Sequence, residues 1–253
     1  MLATARSGTR ALAMAAWSAG ITQAAVVRLN GVPEPQRTDI VERWVQAWAS
    51  GLLRVFGVEH AVRGEHVRNG SGRARLVVAS HRSPLDILLM LHVFGGSVLG
   101  RHDLESWPVL GRAARVGGTI FVDRQDARSG VKAIREIRRR LQAGRTVTVF
   151  PEGTTVAGDE VLAFQEGALS AARGLDVDLV PVGVAYEPGV EFVNETFGQH
   201  LMRVAQRRRT RVVIRVGPAI SGGKDRKALA AQLQSLVQGL VREARADHAR
   251  GPA

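Results

Sequence analysis

The chain has no cysteine among its 253 residues. Disulfides, thiolate nucleophiles and cysteine-based zinc sites are therefore excluded. Aromatic residues make up only 5%, with a single tyrosine, which leaves few platforms on which single-stranded nucleic acid could stack. Lysine is nearly missing as well: Lys132, Lys224 and Lys227 stand among basic residues that are otherwise arginine. Acidic residues are too few to balance them, and the formal net charge is +12. That surplus favours an anionic partner, whether nucleic acid, an anionic membrane surface or a phosphorylated substrate. A long, strongly apolar run is also lacking. Residues 11–27 are rich in alanine and carry Ser18, Thr22 and Gln23, short of the ~20 strongly apolar residues a spanning helix needs. A helix lying against a membrane or against the rest of the chain is the preferred reading there. A signal peptide with Arg6 and Arg10 as its basic start ranks lower, because the apolar stretch is weak.

A hydrophobic content of 45% is ordinary for a chain that buries a real core. Between residues 39 and 56, Ile40, Val41, Trp44, Val45, Trp48, Leu52, Val55 and Phe56 recur at helical spacing. Trp44 and Trp48, one turn apart, suit either an interfacial membrane helix or a helix packed on its own domain. From residue 57 the pattern becomes strand and helix in alternation. Strands are expected at 75–80, 119–122, 146–150, 179–186 and 211–216. Helices are expected at 84–94, 106–116, 129–143 (closed by Gly144), 162–173 (stopped by Gly174) and 225–246. Residues 57–67 read as irregular or strand-like. Pro181 inside an apolar run points to an edge or irregular strand. Such alternation argues an α/β sheet with helices on both faces.

Ser80-His81-Arg82-Ser83-Pro84-Leu85-Asp86 lies between the apolar strand and the following helix. A histidine can accept a proton near neutral pH if a carboxylate holds its other ring nitrogen, and Asp86 is placed to fold back onto His81. The same segment fits a helix cap, with Ser83 at N-cap, Pro84 at N1 and Asp86 at N3. Both readings stand at this point. Three further stretches are weak alone. Arg124, just past the strand Thr119–Val122, can grip a phosphate or carboxylate, or simply pair with Asp123 or Asp126. Phe150-Pro151-Glu152-Gly153-Thr154-Thr155 is a strand end and turn whose N–H groups and hydroxyls can cradle an anion. Glu152 there suits a cation or a substrate hydroxyl. Val180-Pro181-Val182 says nothing on its own.

Taken together and in order, these four blocks resemble the glycerolipid acyltransferase family, which includes the 1-acyl-glycerol-3-phosphate acyltransferases. Arg101-His102-Asp103-Leu104 to Pro108-Val109-Leu110-Gly111 is similar to the family's segment between its first two blocks. The resemblance implies the family's α/β sheet with helices on both faces, preceded by a helical membrane-associating segment (residues 1–56) and forming the acyltransferase domain at 57–253. It implies transfer of an acyl chain from acyl-coenzyme A or acyl-carrier protein to the hydroxyl of a lyso-lipid, most directly 1-acyl-glycerol-3-phosphate. His81 would be the general base and Asp86 its support. Arg124 would hold the acceptor phosphate, assisted by Arg101, where the family often has lysine. Glu152, Gly153, Thr154 and Thr155 would shape the acceptor site. Neither a metal ion nor a cofactor is expected beyond the thioester co-substrate. The expected partners are the lyso-lipid, the acyl thioester and an anionic membrane surface, with the protein on the cytoplasmic face. Nucleic acid is not expected.

The chain departs from the family's pattern at three places. Thr155 stands where the third block often has arginine, Gln165 follows Phe164 where lysine is common, and Ser80 replaces the usual asparagine before the histidine. Two cations fewer near the acceptor make a lyso-ornithine or other aminolipid the alternative, since lyso-ornithine lipid acyltransferases carry a hydroxyl residue there. Outside this class, a basic nucleic-acid-binding protein rests on charge alone, and an idle lipid-binding module is opposed by the retained His81 and Asp86.

Overall fold

The computed structural model describes residues 2–34, 36–64, 72–107, 109–123, 125–223 and 225–250. These carry an eight-stranded mixed sheet in the order β1-β7-β6-β2-β5-β3-β4, with β8 beside β6. Its strands are β1 Val58–Arg63, β2 Arg75–Ala79, β3 Ser97–Arg101, β4 Ile120–Val122, β5 Thr146–Val149, β6 Asp178–Tyr186, β7 Thr210–Val216 and β8 Ile220–Ser221. From β6 to β4 all neighbours are parallel, while β7 and β8 run antiparallel to β6. Every strand of that parallel block therefore ends on the same edge, where open α/β sheets place their ligands.

Strand β2 shows why the sequence takes this form. All five of its residues are buried, and alternate side chains enter different cores. Val77 and Ala79 join a cluster with helices α2 (Gln36–Val55), α3 (Leu85–Phe94) and α7 (Phe197–Gln206). Leu76 and Val78 join one with α5 (Ala127–Gln142), α6 (Glu166–Leu169) and α8 (Arg226–Arg250). A strand covered on both faces has no polar side to show, hence the unbroken apolar run. Helix α8 lies so close to β6 that a Cβ on Gly183 would stand 2.4 Å from the backbone at Leu240 and Val241. Helix α4 covers Leu110–Val116.

Helix α1 runs over Leu2–Leu29, longer at both ends than the apolar stretch at 11–27. By length and composition it is long and apolar enough to cross a membrane, and little of it is buried. It is latched to α2: the Trp17 indole donates to the Trp48 carbonyl (3.1 Å), and the Trp48 indole donates to Ser18 Oγ (2.9 Å). Gly51 makes room for the Trp17 ring, which an added Cβ would meet at 2.2 Å. Trp48 is thus committed to the α1–α2 contact rather than to an outer interface. Arg10 donates to the carbonyls of Ala205, Arg207 and Arg208 at the end of α7, and Arg6 to that of Gln206. Those of Ala205, Gln206 and Arg207 are carbonyls a helix end leaves unpaired, and cations are favoured beside them.

Three local expectations are corrected. Pro181 lies in an interior strand, paired to β2 through Val78. Its carbonyl accepts from Gly217 N–H (2.9 Å), between the stretches of β6 paired to β8 and to β7. The missing proline donor faces the same way, into that break in the ladder, so nothing is lost. The helix expected at 162–173 shrinks to α6 and a 3-10 turn at Ser170–Ala172. The N–H groups of Val161, Leu162 and Gln165 are spent on the Gln238 side chain, Glu152 and the Pro151 carbonyl, so no helix propagates there. The helix expected from residue 106 becomes a 3-10 turn, His102–Ser106, followed by α4; Pro108 lies outside the described residues.

Candidate active site

The segment Ser80–Asp86 links the end of β2 to α3, at the edge shared by the parallel strand ends. Asp86 is fully buried in the first turn of α3, and four donors converge on its carboxylate. Oδ2 takes His81 Nδ1 (2.9 Å) and the backbone N–H groups of Arg82 (2.6 Å) and Ser83 (2.9 Å). Oδ1 takes the Tyr186 hydroxyl, 2.5 Å away at the end of β6. Hydrogen bonds and a helix N-terminus are what make a buried carboxylate tolerable. One oxygen thus serves the loop backbone and the imidazole together, while the cap differs from the sequence reading: Pro84, not Ser83, is the N-cap residue and the helix starts at Leu85. Ser83 Oγ adds a long bond from Leu85 N–H (3.3 Å). Burial, and then the neighbouring Asp86, push the Tyr186 phenol well above its ordinary value, so it stays a neutral donor.

With Nδ1 turned to Asp86, Nε2 of His81 has no hydrogen-bond partner among the described residues. The ring stacks on Phe150, with centroids 4.2 Å apart, and its side chain is 13% exposed. A histidine so held presents one lone pair to an incoming hydroxyl.

The β5 turn packs underneath. Glu152 is buried and its oxygens are taken by protein donors: His81 N–H (2.8 Å), Leu162 N–H (3.0 Å) and the Arg82 guanidinium (3.0 and 3.2 Å). Arg82, itself buried, also donates to the carbonyls of His81 and Glu160. Gly153 has φ +74°, and a Cβ there would stand 2.4 Å from the Gln165 amide nitrogen. Thr154 is exposed, and the Thr155 hydroxyl donates to the Phe192 carbonyl (2.6 Å). The geometry thus gathers His81, Asp86, Glu152 and Gly153 into one unit, with Thr154 and Thr155 on its rim. Arg101 ends β3 at an exposed position and forks onto Asp103 (3.0 and 2.9 Å). Arg124 lies outside the described residues. Beside the dyad loop, at Pro84 and Leu85, opens an apolar cavity of about 130 Å³ that reaches Leu52 of α2, Phe56 just beyond that helix, and Leu201 of α7.

Sequence reasoning missed Tyr186, Arg82 and His200. Tyr186 carried a signal, because a lone tyrosine closing a buried apolar run needs a partner for its hydroxyl. Arg82 and His200 carried none, since the partners that bring them to the site, Glu152 and Ser83, lie 70 and 117 residues away.

Comparison with known proteins shows the family. A family model described as acyltransferase matches residues 59–185. The chain is 30% identical over 228 residues to the lyso-ornithine lipid O-acyltransferase of Pseudomonas aeruginosa, covering 87% of this chain and 86% of the relative. It is 33% identical over 145 residues to the protein of the same name from Rhizobium meliloti, and spans 48% of that relative's length. It is 33% identical over 157 residues to the 1-acyl-sn-glycerol-3-phosphate acyltransferase of Neisseria meningitidis, covering 62% and 59%. The crystal structure of the 1-acyl-sn-glycerophosphate acyltransferase PlsC from Thermotoga maritima superposes with a TM-score of 0.69 at 21% identity, over 95% of this chain and 98% of that one. The fold is therefore that of PlsC, and the chain is an enzyme that belongs to the acyltransferase family.

Proposed function

We propose that the enzyme moves an acyl chain from a thioester, acyl-coenzyme A or acyl-carrier protein, to a lyso-lipid hydroxyl, with His81 as general base. The observation carrying this reading is the imidazole held by Asp86 at 2.9 Å, with Nε2 unbonded among the described residues. Nε2 takes the hydroxyl proton as the oxygen attacks the thioester carbonyl. The imidazolium is balanced by Asp86, whose four donors keep it in place. Collapse of the tetrahedral intermediate breaks the carbon–sulfur bond. The proton on Nε2 then goes to the departing thiolate, leaving an ester, a free thiol and a neutral histidine. The apolar cavity beside Pro84 and Leu85 has the character an acyl chain requires.

The acceptor expected from the sequence is 1-acyl-glycerol-3-phosphate, its phosphate held by Arg124 with Arg101. A second reading, a lyso-ornithine or other aminolipid acceptor, is favoured by Thr155, whose hydroxyl is spent on the Phe192 carbonyl, and by Gln165 beside Gly153. Neither brings a cation to the rim, and three relatives named for lyso-ornithine lipid are among the matches. Residues 1–56 serve as the membrane-associating segment, on the cytoplasmic face, ahead of the acyltransferase part.

Thiol release tests both levels. The chain has no cysteine, so a thiol reagent reads only the product. His81→Ala should abolish release while keeping the far-ultraviolet spectrum of the parent. Full activity in a folded His81→Ala protein would sink the base assignment, and preference for the aminolipid across a panel of lyso-lipids would decide the acceptor.

A further inference from the structure

A second histidine lies behind the dyad, and the mechanism above makes no use of it. His200, on α7, is buried, yet both ring nitrogens are engaged. Nε2 lies 3.0 Å from the hydroxyl of Ser83, and Nδ1 lies 2.9 Å from Glu195 Oε1. Ser83 is fully buried, and its backbone N–H is one of the donors on Asp86. The ring sits edge-on to Phe192, 5.0 Å between centroids, and borders the apolar cavity along with Phe197 and Leu201.

The donors fix its state. Glu195 Oε1 can only accept, so the proton of the neutral ring sits on Nδ1; the Arg203 guanidinium, 3.2 Å from the same nitrogen, is spent on that carboxylate, and the Ser83 hydroxyl gives its proton to Nε2. Nε2 is then the acceptor and Nδ1–H donates to Glu195. Burial lowers the tendency of His200 to protonate, opposed by Glu195, which agrees with a neutral ring. Glu195 is held by Arg203, which also donates to the carbonyls of Gly189 and Glu191. A continuous series thus runs from the 189–195 loop through Glu195, His200 and Ser83 to Asp86 and His81.

We propose that His200 is a positioning residue for the His81–Asp86 dyad, acting through the Ser83 hydroxyl to fix the loop whose N–H groups hold Asp86. The inference rests on the general-base role of His81. Alternate conformations of residues 81–83 would move two backbone donors off Asp86 together, and the hydroxyl–imidazole contact removes that freedom. Misplacing a reacting group by about 1 Å costs on the order of a hundredfold in rate. His200 stands on the wall of the cavity, so the same contact ties the seating of α7 to the alignment of His81.

The test uses full-length His200→Phe, His200→Gln, Ser83→Ala and the double variant Ser83→Ala/His200→Phe. His200→Phe should lower kcat at least ~10-fold with little change in KM for the thioester. His200→Gln, which can offer an amide oxygen to Ser83, should restore much of the loss. The double variant should be no worse than the more impaired single one, because both remove one contact. A readout independent of catalysis is the nitrogen chemical shifts of the His81 imidazole. In the His200→Phe protein they should report a changed tautomer population, whereas in His200→Gln they should match the parent. Unchanged His81 shifts with unchanged kcat, or losses in the two single variants that multiply, would overturn the proposal. An active His81→Ala enzyme would instead remove the general-base reading, while the shifts would still report whether His200 orders the loop.

Discussion

Tyr186 gives the hydroxyl that closes the coordination of Asp86 from a strand a hundred residues away. Burial keeps the phenol neutral, so at any pH the enzyme meets it donates and never competes for a proton. Tyr186→Phe removes that donor without removing ring volume, and leaves one oxygen of a buried carboxylate unpaired. The expected loss of stability is about 1.5–3 kcal/mol, the range for a hydrogen bond to a charged group. A fall in kcat of roughly tenfold should accompany it, the equivalent of about 1.4 kcal/mol in the barrier. Urea unfolding and thiol release on one preparation check both. Undiminished stability with full activity would mean that Oδ1 finds water instead. The His81–Asp86 pairing was legible from the sequence because it is local: five residues across a strand-to-helix turn bring the two together. Tyr186 was not, because its place depends on β6 pairing beside β2, which only the assembled sheet decides.

Two loops meet under the imidazole, one from β2 and one from β5, and the Arg82–Glu152 pair joins them. Both side chains are buried, and Glu152 also accepts from the backbone N–H groups of His81 and Leu162. Removing one partner leaves an uncompensated buried charge, which typically costs about 3–5 kcal/mol. Glu152→Gln should therefore destabilise the fold by several kcal/mol, seen as a lower urea midpoint. It should also lower activity through the His81 backbone, with little discrimination among acceptors. A Glu152→Gln enzyme of parental stability whose acceptor preference alone has changed would return the residue to direct substrate contact. Element boundaries failed in the sequence for the same physical reason that this staple exists. Residues 162–165 look helical by composition, yet the N–H groups of Val161, Leu162 and Gln165 are taken by α8, Glu152 and Pro151. Strand β3 and helix α7 escaped notice because short, mixed segments acquire their faces only when docked. By contrast β2, apolar throughout after Arg75, and the heavily patterned α2 and α5 read correctly, since their patterns are set by burial.

At the scale of the molecule, charge and apolar surface can act together on a membrane. The chain carries +12, and α1 displays Leu12 and Val27 to solvent, at 75% and 61% exposure. Some of the arginines are already committed: Arg10 caps α7, Arg82 serves Glu152, and Arg245 holds Asp159 and the Tyr186 carbonyl. Other basic side chains, among them Arg208, remain solvent-exposed. Each basic group at an anionic surface contributes on the order of 1 kcal/mol, and that contribution is screened as the Debye length falls from about 10 Å to about 3 Å with rising salt. The apolar part, set by α1, is not screened. Co-sedimentation with vesicles should therefore show strong binding to anionic lipid at low salt. A reduced but finite fraction should stay bound at high salt, with the same finite fraction on neutral vesicles at either ionic strength. Complete release by salt would assign membrane association to charge alone and leave α1 as a helix packed on its own enzyme. Salt-independent binding to both kinds of vesicle would assign it to α1 and make the arginine surplus irrelevant to the membrane.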